Sequence, residues 1–112
     1  MVFDFETEAA TGGTSLKGYV LATRAELTGI FGEPGMGSAD GKTNFEWSLL
    51  FTNPRDRTDT VRATIYDWKR EIKIDELDEF ALIEWHIGGD KLDAVHCVAG
   101  HLLASREEVG VA

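Results

Sequence analysis

Each of the three tryptophans directly follows an acidic residue, inside or at the end of a segment with strand character. The pairs are Glu46-Trp47, Asp67-Trp68 and Glu84-Trp85. Because neighbouring residues of a strand point to opposite faces, each pair places a large apolar ring on one face and a carboxylate on the other. The chain is therefore expected to form a sheet with one packed face and one acidic face.

Alternation of apolar and polar residues predicts four strands, over residues 14–22, 43–52, 60–68 and 81–87. The second is the clearest, since every second residue in it is large and apolar: Phe45, Trp47, Leu49 and Phe51. The second and third strands flank a short polar turn, which predicts a hairpin. In the third strand Asp67 falls on the apolar face, so we expect either a bulge near its end or a Trp68 that lies outside the main core.

Capping signals predict two helices. Thr23 followed three residues later by Glu26 has the form of a capping box, which predicts a helix over residues 24–31 with a left-handed C-cap at Gly32. A second helix is expected after Asp90, which can serve as its N-cap. Its predicted apolar stripe consists of Leu92, Val95, Ala99, Leu102 and Leu103.

This order of elements predicts an α+β fold, a small antiparallel sheet of about four strands with two helices packed on one face. The 112 residues suit a single domain. Residues 1–12 are expected to form either a short edge strand or a frayed terminus, and residues 107–112 are expected to fray. Trp47 and Trp85 are expected in its core, together with Leu92, Val95 and Leu102.

The charge is strongly acidic and unevenly placed. With 20 acidic against 11 basic residues the net charge is -9, which disfavours direct binding to nucleic acid and favours basic partners. Residues 71–93 hold eight acidic residues against two lysines, whereas residues 52–70 hold five basic residues against three acidic ones. The single Cys97 and the lack of an apolar leader predict a reducing, cytoplasmic setting, and no segment is apolar enough to suggest a membrane partner.

Five segments in a fixed order carry a resemblance: GTSLKGYV at 13–20, FGEP at 31–34, KTNFEW at 42–47, ATIYDWK at 63–69 and EWHIGG at 84–89. Together they resemble a group of small bacteriophage-encoded proteins that is common in phages of actinobacteria. The resemblance covers about residues 13–103 and implies expression inside an infected cell. It implies no catalytic residues, because none is assigned in that group.

Two surfaces are candidates for binding a protein. Tyr66 and Trp68 share a strand face with Arg62, and exposed aromatic residues beside an arginine are typical of binding hot spots. The second surface is an acidic segment, whose residues are Asp75, Glu76, Asp78 and Glu79.

A small-ligand site is the alternative. Gly88 and Gly89 precede a helix, where free backbone amides can bind phosphate, and His86 with Arg55 and Arg57 would complete such a site. Asp90 would occupy those amides and repel an anion, so a turn with a helix cap is the favoured interpretation. His86 could also act as a general base oriented by Glu84, but no paired nucleophile motif accompanies it.

Asp93, Cys97 and His101 are spaced by four residues and are expected on one face of the second helix. Such residue types bind metals, but three ligands from one straight helix cannot close around an ion. We therefore predict no metal site and no cofactor, and we expect these side chains to face solvent or a partner.

The sequence thus predicts a non-enzymatic phage accessory protein that binds and modulates a host protein, in host takeover or counter-defence. Two alternatives stay open: a protein that binds a nucleotide or other small ligand, and an acidic nucleic-acid mimic that inhibits a host nuclease or regulator. Self-association of the protein is compatible with all three interpretations.

Overall fold

The structure, a computed structural model, describes residues 2–8, 14–36, 43–67 and 78–108. Within these ranges it contains six strands and two helices. In chain order they are β1 (Asp4–Thr7), β2 (Ser15–Thr23), α1 (Arg24–Phe31), β3 (Gly35–Met36), β4 (Phe45–Asn53), β5 (Asp56–Tyr66), β6 (Leu82–Gly89) and α2 (Asp93–Glu108).

The strands form one antiparallel sheet. Five of them lie in the order β1-β4-β5-β6-β2, and the two-residue β3 pairs with β4 on the same edge as β1. The predicted α+β fold and the hairpin formed by β4 and β5 are confirmed. The sheet is larger than the predicted four strands because β1 and β3 add short pairings along the outer edge of β4.

The N-terminus of α1 has the predicted capping box. The Thr23 hydroxyl accepts a hydrogen bond from the Glu26 amide at 3.0 Å, and the Glu26 carboxylate accepts one from the Thr23 amide at 3.1 Å. The helix ends at Gly32, whose φ of 88° lies in the region that favours glycine. Both ends of α1 are therefore set by local sequence.

Both helices pack on the same face of the sheet and share one core with it. Trp47 and Trp85 are buried in this core, with ring centroids 5.4 Å apart and planes at 78°. Their indole N–H groups donate to the backbone carbonyls of Gly32 at 2.8 Å and Ala22 at 3.0 Å. The prediction that both tryptophans are buried is confirmed, and each ring has its polar atom satisfied.

Asp67 is fully buried at the end of β5, on the core side of the sheet. Its carboxylate accepts hydrogen bonds from the backbone amides of Asn44 and Phe45, both at 2.8 Å, just where β4 begins. The pairing of β5 with β4 is regular from Thr60 to Tyr66, so the bulge predicted near the strand end is wrong for this described part. The carboxylate falls on the apolar face because it binds the start of the neighbouring strand.

The start of α2 differs from the prediction. The Asp90 carboxylate does not cap the helix: it accepts a hydrogen bond from the Arg62 amide of β5 at 3.0 Å, and α2 begins at Asp93. Asp90 therefore extends the pairing between β5 and β6 beyond the end of β6.

The buried stripe of α2 also differs from the prediction. It consists of Ala94, Val98 and Leu102, whereas Leu92 is 72% exposed and Leu103 is exposed as well. Leu92 was therefore wrongly placed in the core, while Leu102 lies in the core and Val95 packs against it.

Two glycines explain why small residues line this contact. A Cβ on Gly89 would lie 2.5 Å from the Cβ of Ala94, and one on Gly18 would lie 2.8 Å from a methyl of Val95. The helix thus approaches the sheet so closely that leucine at these contact positions would not fit.

Candidate functional site on the open face of the sheet

We call the sheet face opposite the described helices the open face. Four side chains form a line across it, one from each of four neighbouring strands: Glu46 of β4, Tyr66 of β5, His86 of β6 and Tyr19 of β2. The register pairs Glu46 with Tyr66, Tyr66 with His86 and His86 with Tyr19. Directly paired residues of antiparallel strands share a face, and strands lie about 4.8 Å apart, so this cross-strand row is about 14 Å long.

His86 lies between two tyrosine rings in the cross-strand row. Its imidazole centroid is 5.3 Å from that of Tyr66, with planes 31° apart, and 5.0 Å from that of Tyr19 in an edge-to-face arrangement. His86 is only 8% exposed, while Tyr19 is 47% exposed. The row therefore offers a contiguous aromatic surface with the imidazole at its centre.

Glycine and threonine on the neighbouring positions let the rings lie close to the backbone. A Cβ on Gly88 would stand 2.5 Å from the hydroxyl of Thr64 and 3.5 Å from the ring of Tyr66. Any larger residue at position 88 would push these side chains away from β6. The glycine that the sequence places at the end of a strand thus shapes the open face.

The carboxylate end of the row is partly desolvated. Burial raises the pKa of the Glu46 carboxyl, and no ion pair of this side chain is found within the described residues. The pKa of Tyr66 is also raised, first by burial and then by the nearby Tyr19 and Glu46. In both groups burial is the first cause, because it disfavours the charged form.

Exposed leucines extend the row toward the sheet edge. Leu21 and Leu82 lie on the open face and are 56% and 62% exposed, with Glu84 opposite Leu21. The outer face of a sheet in a two-layer domain is normally polar, because only the other face has a core to pack against. We call the cross-strand row together with Leu21, Leu82 and Glu84 the open-face site.

Two cavities flank the open-face site. A groove of about 450 Å³ lies at the edge of β2, between Leu21 and the side chains of Leu103 and Arg106 on α2. A cavity of about 200 Å³ opens beside Glu46 at the other end, and Glu8 and Glu33 also line it. The site therefore runs from an apolar groove to an acidic cavity.

Part of the predicted protein-binding surface lies here. Tyr66 belongs to the cross-strand row. Arg62 shares its face as predicted, but Arg62 lies farther along β5 and pairs with Glu8 at 3.4 Å. Trp68 lies outside the described residues. Arg62 and Tyr66 are four residues apart, or about 13 Å along the strand, so the structure does not combine them into one small patch.

The predicted acidic segment is described only in part, because Asp75 and Glu76 lie outside the described residues. The Asp78 carboxylate accepts a hydrogen bond from the Phe80 amide at 2.8 Å, and the Glu79 carbonyl accepts one from the Ala25 amide at 2.9 Å. These two residues thus form a turn that is attached to the start of α1.

The structure does not bring the predicted ligand residues together. Gly88 and Gly89 are in β6, paired with β2 on one side and β5 on the other, so they do not form the predicted turn before a helix. Arg55 and Arg57 are at the β4–β5 hairpin, and Arg57 is about 30 Å along β5 from the residue that pairs with His86. The free amides that a phosphate would need are used in the sheet.

The predicted solvated face of α2 is partly buried instead. The His101 ring packs against Phe5 and Phe31, and its Nε2 lies 2.6 Å from the backbone oxygen of Phe3. Burial, followed by the charges of Asp93 and Asp59, raises the pKa of the Cys97 thiol to about 11. The prediction of a solvent- or partner-facing surface is wrong for His101 because β1 and α1 cover it.

No described group of three or more potential ligands is arranged to hold a metal ion. None of the described helices is long and apolar enough to cross a membrane. No protein-family model, curated protein or solved structure matches the chain.

Sequence reasoning missed four members of the open-face site: Leu21, Glu46, Leu82 and Tyr19. Tyr19 illustrates the reason. Its alternation with Val20 indicates which residues of β2 share a face, but not which strand lies beside β2. Tyr19 meets His86 only because β2 and β6 pair across more than sixty residues of chain.

Proposed function

We propose that the protein is a non-enzymatic binding protein that modulates a host protein in a phage-infected cell, and that the open-face site is its contact surface. The observation that carries this proposal is the exposure of Tyr19, Leu21 and Leu82 on a face with no described helix over it. Clusters of exposed aromatic and aliphatic side chains on a soluble fold mark interaction surfaces.

The chemistry of the described residues supports binding more than catalysis. The thiol of Cys97 is held in its protonated form by a pKa of about 11, and it lies on α2, behind the core. His86 is enclosed by two tyrosine rings that offer shape and area to a partner. The cytoplasmic phage setting rests on the resemblance of the sequence segments, and the net charge of -9 favours a basic partner.

The test compares two matched leucine variants in affinity capture from an actinobacterial host lysate. Leu21→Ser removes an exposed leucine from the open-face site, and Leu92→Ser removes an even more exposed leucine before α2. We expect Leu21→Ser and Tyr19→Ser to weaken capture of the host protein by about 2 kcal/mol or more, as loss of a hot spot does. Leu92→Ser should capture it as the wild type does.

Equal capture by all three variants would contradict the proposal that the open-face site is the contact surface. A His86→Ala variant that binds the host protein normally but loses biological activity would show that the protein is not merely a binding protein. Thermal unfolding of every variant ensures that a loss of capture does not reflect unfolding.

A second candidate function is that of an acidic nucleic-acid mimic that inhibits a host nuclease or regulator. Glu8, Glu33 and Glu46 line one cavity, and carboxylates in such a group can replace the phosphates that a basic groove binds. In that case the association rate of the wild type should fall steeply with added salt, and Leu21→Ser should bind normally.

A further inference from the structure

The cross-strand row places a carboxylate directly beside an aromatic ring. Glu46 is directly opposite Tyr66, so the Cβ atoms of the two residues are about 5 Å apart. The carboxylate is partly buried, and no described residue forms an ion pair with it. A partly desolvated anion of this kind is stabilised by any cation that reaches it.

The surroundings add negative charge on both sides. Glu84 lies two positions from His86 along β6, and Glu8 and Glu33 line the cavity next to Glu46. Arg62 pairs with Glu8 and lies about 13 Å along β5 from Tyr66, and Arg106, at the groove beside Tyr19, pairs with Glu26. The field at the row is therefore negative and would attract a positive group from a partner.

We propose that the row binds an arginine side chain of the partner protein, with its guanidinium stacked on Tyr66 and its N–H groups donating to the Glu46 carboxylate. Arginine fits better than lysine, because its planar group stacks on rings and donates two parallel hydrogen bonds to one carboxylate. A guanidinium already lies over an aromatic ring inside the molecule, where the Arg24 guanidinium carbon is 4.4 Å from the centre of the Phe45 ring. This inference rests on the proposed function, since it names the chemistry that the open-face site recognises.

The test uses a small probe and does not need the host protein. N-acetyl-arginine N-methylamide is titrated into the protein, and the ring resonances of Tyr19, Tyr66 and His86 are followed by NMR. The matched control is the citrulline analogue, which has the same length and planar end but no charge. The lysine analogue is a second control, with the charge but no planar group.

The arginine probe should give saturable shifts of the row, and the citrulline analogue should bind at least about tenfold more weakly, as expected for loss of a charge-assisted hydrogen bond. Glu46→Gln, which keeps the shape of the side chain, should weaken arginine binding to a similar degree. Glu108→Gln, at the exposed end of α2, should not change it.

The arginine site is wrong if citrulline binds as well as arginine, if lysine binds as tightly, or if Glu46→Gln has no effect. The proposed function is tested separately, by capture of the host protein. Capture that depends on Leu21 but not on Glu46 would support the open-face site as the contact surface and would contradict the arginine proposal. Capture that is indifferent to both Leu21 and Tyr19 would remove the binding surface itself, whatever the probe does.

Discussion

Asp67 shows how one residue can decide where two strands meet. It is an ionisable side chain with no exposed surface, and it survives burial because its oxygen atoms accept hydrogen bonds from the start of β4. A carboxylate in that position satisfies two amides that lie before the ladder of β4 and β5 begins. The buried acid is thus a structural residue that joins the end of one strand to the start of its neighbour.

Replacing Asp67 by alanine should destabilise the fold strongly. The amides of Asn44 and Phe45 would lose their acceptor, and each unsatisfied buried group costs about 1–3 kcal/mol, so we expect a loss of about 3 kcal/mol. Urea denaturation measures it. Asp67→Asn retains one acceptor oxygen and should lose less, so an alanine variant within 0.5 kcal/mol of the wild type would contradict this role.

At the scale of elements, local patterns predicted those features that depend on neighbours in the chain. The capping box of α1 and the alternation along β4 involve contacts over a few residues, and both are confirmed. The helix also ends at Gly32 as predicted, but with a φ of 88° and a ψ of -175° in place of the predicted left-handed cap. The buried face of α2 was not predictable in this way. The leucines of α2 suggest that they form its core stripe. The glycines of the sheet, which are far away in the chain, let the helix come so close that only a small residue such as Ala94 fits at the contact.

The candidate site was predictable only in part for the same reason. The sequence indicates that Tyr66 is on a polar strand face, and that His86 and Glu84 share another. These faces form one surface only because the strands lie side by side as β4-β5-β6-β2. This spatial order differs from the order of the strands along the chain. The ligand-loop hypothesis failed because periodicity ended β6 two residues too early, and the sheet uses both glycines.

Gly89→Ala tests the close approach of α2 to the sheet. The added methyl would lie 2.5 Å from the Cβ of Ala94 and 2.9 Å from the backbone oxygen of Arg62, so either the helix or β5 must move. We expect a loss of about 1–3 kcal/mol, as for other overpacked cores. The control is Gly29→Ala on α1, where nothing lies within 4 Å and alanine should stabilise the helix by about 0.5–1 kcal/mol. Two variants of equal stability would show that α2 is not packed this closely.

At the scale of the whole molecule, one ion pair connects three parts of the fold. Glu26 caps α1, and its carboxylate also pairs with Arg106 near the end of α2 at 2.8 Å. Arg106 donates a further hydrogen bond to the carbonyl of Leu21 on the edge strand β2, at 2.9 Å. The arginine thus occupies one of the backbone acceptors on this edge, and blocked edges protect a sheet from pairing with other chains.

The same ion pair and the cross-strand row should respond to acid in opposite directions. The hydrogen bond from Arg106 lowers the pKa of Glu26 below its ordinary value of 4.5, so the stability that Glu26 contributes is present above that value and is lost as pH falls through the lower folded pKa. Burial raises the pKa of Glu46, so the folded state gains relative stability as pH falls through the raised value and this carboxyl becomes neutral.

Two isosteric variants separate these effects in urea denaturation between pH 7 and pH 3. Glu26→Gln keeps a capping side chain but removes the charge, so it should be less stable than the wild type by about 0.5–1 kcal/mol at pH 7, the range for an exposed ion pair. That deficit should shrink toward pH 3 as the wild-type carboxyl is protonated.

Glu46→Gln removes a partly buried charge and should be at least as stable as the wild type at pH 7, and this gain in stability should shrink as the pH falls. Glu108→Gln, at the exposed end of α2, reports the effect of one charge fewer on the whole molecule. A deficit of Glu26→Gln that stays constant down to pH 3 would mean that the charge of Glu26 does not hold the two helices together. If Glu46→Gln were less stable than the wild type at neutral pH, its carboxylate would have a stabilising partner in the free protein, and an arginine from another chain would have to displace that partner.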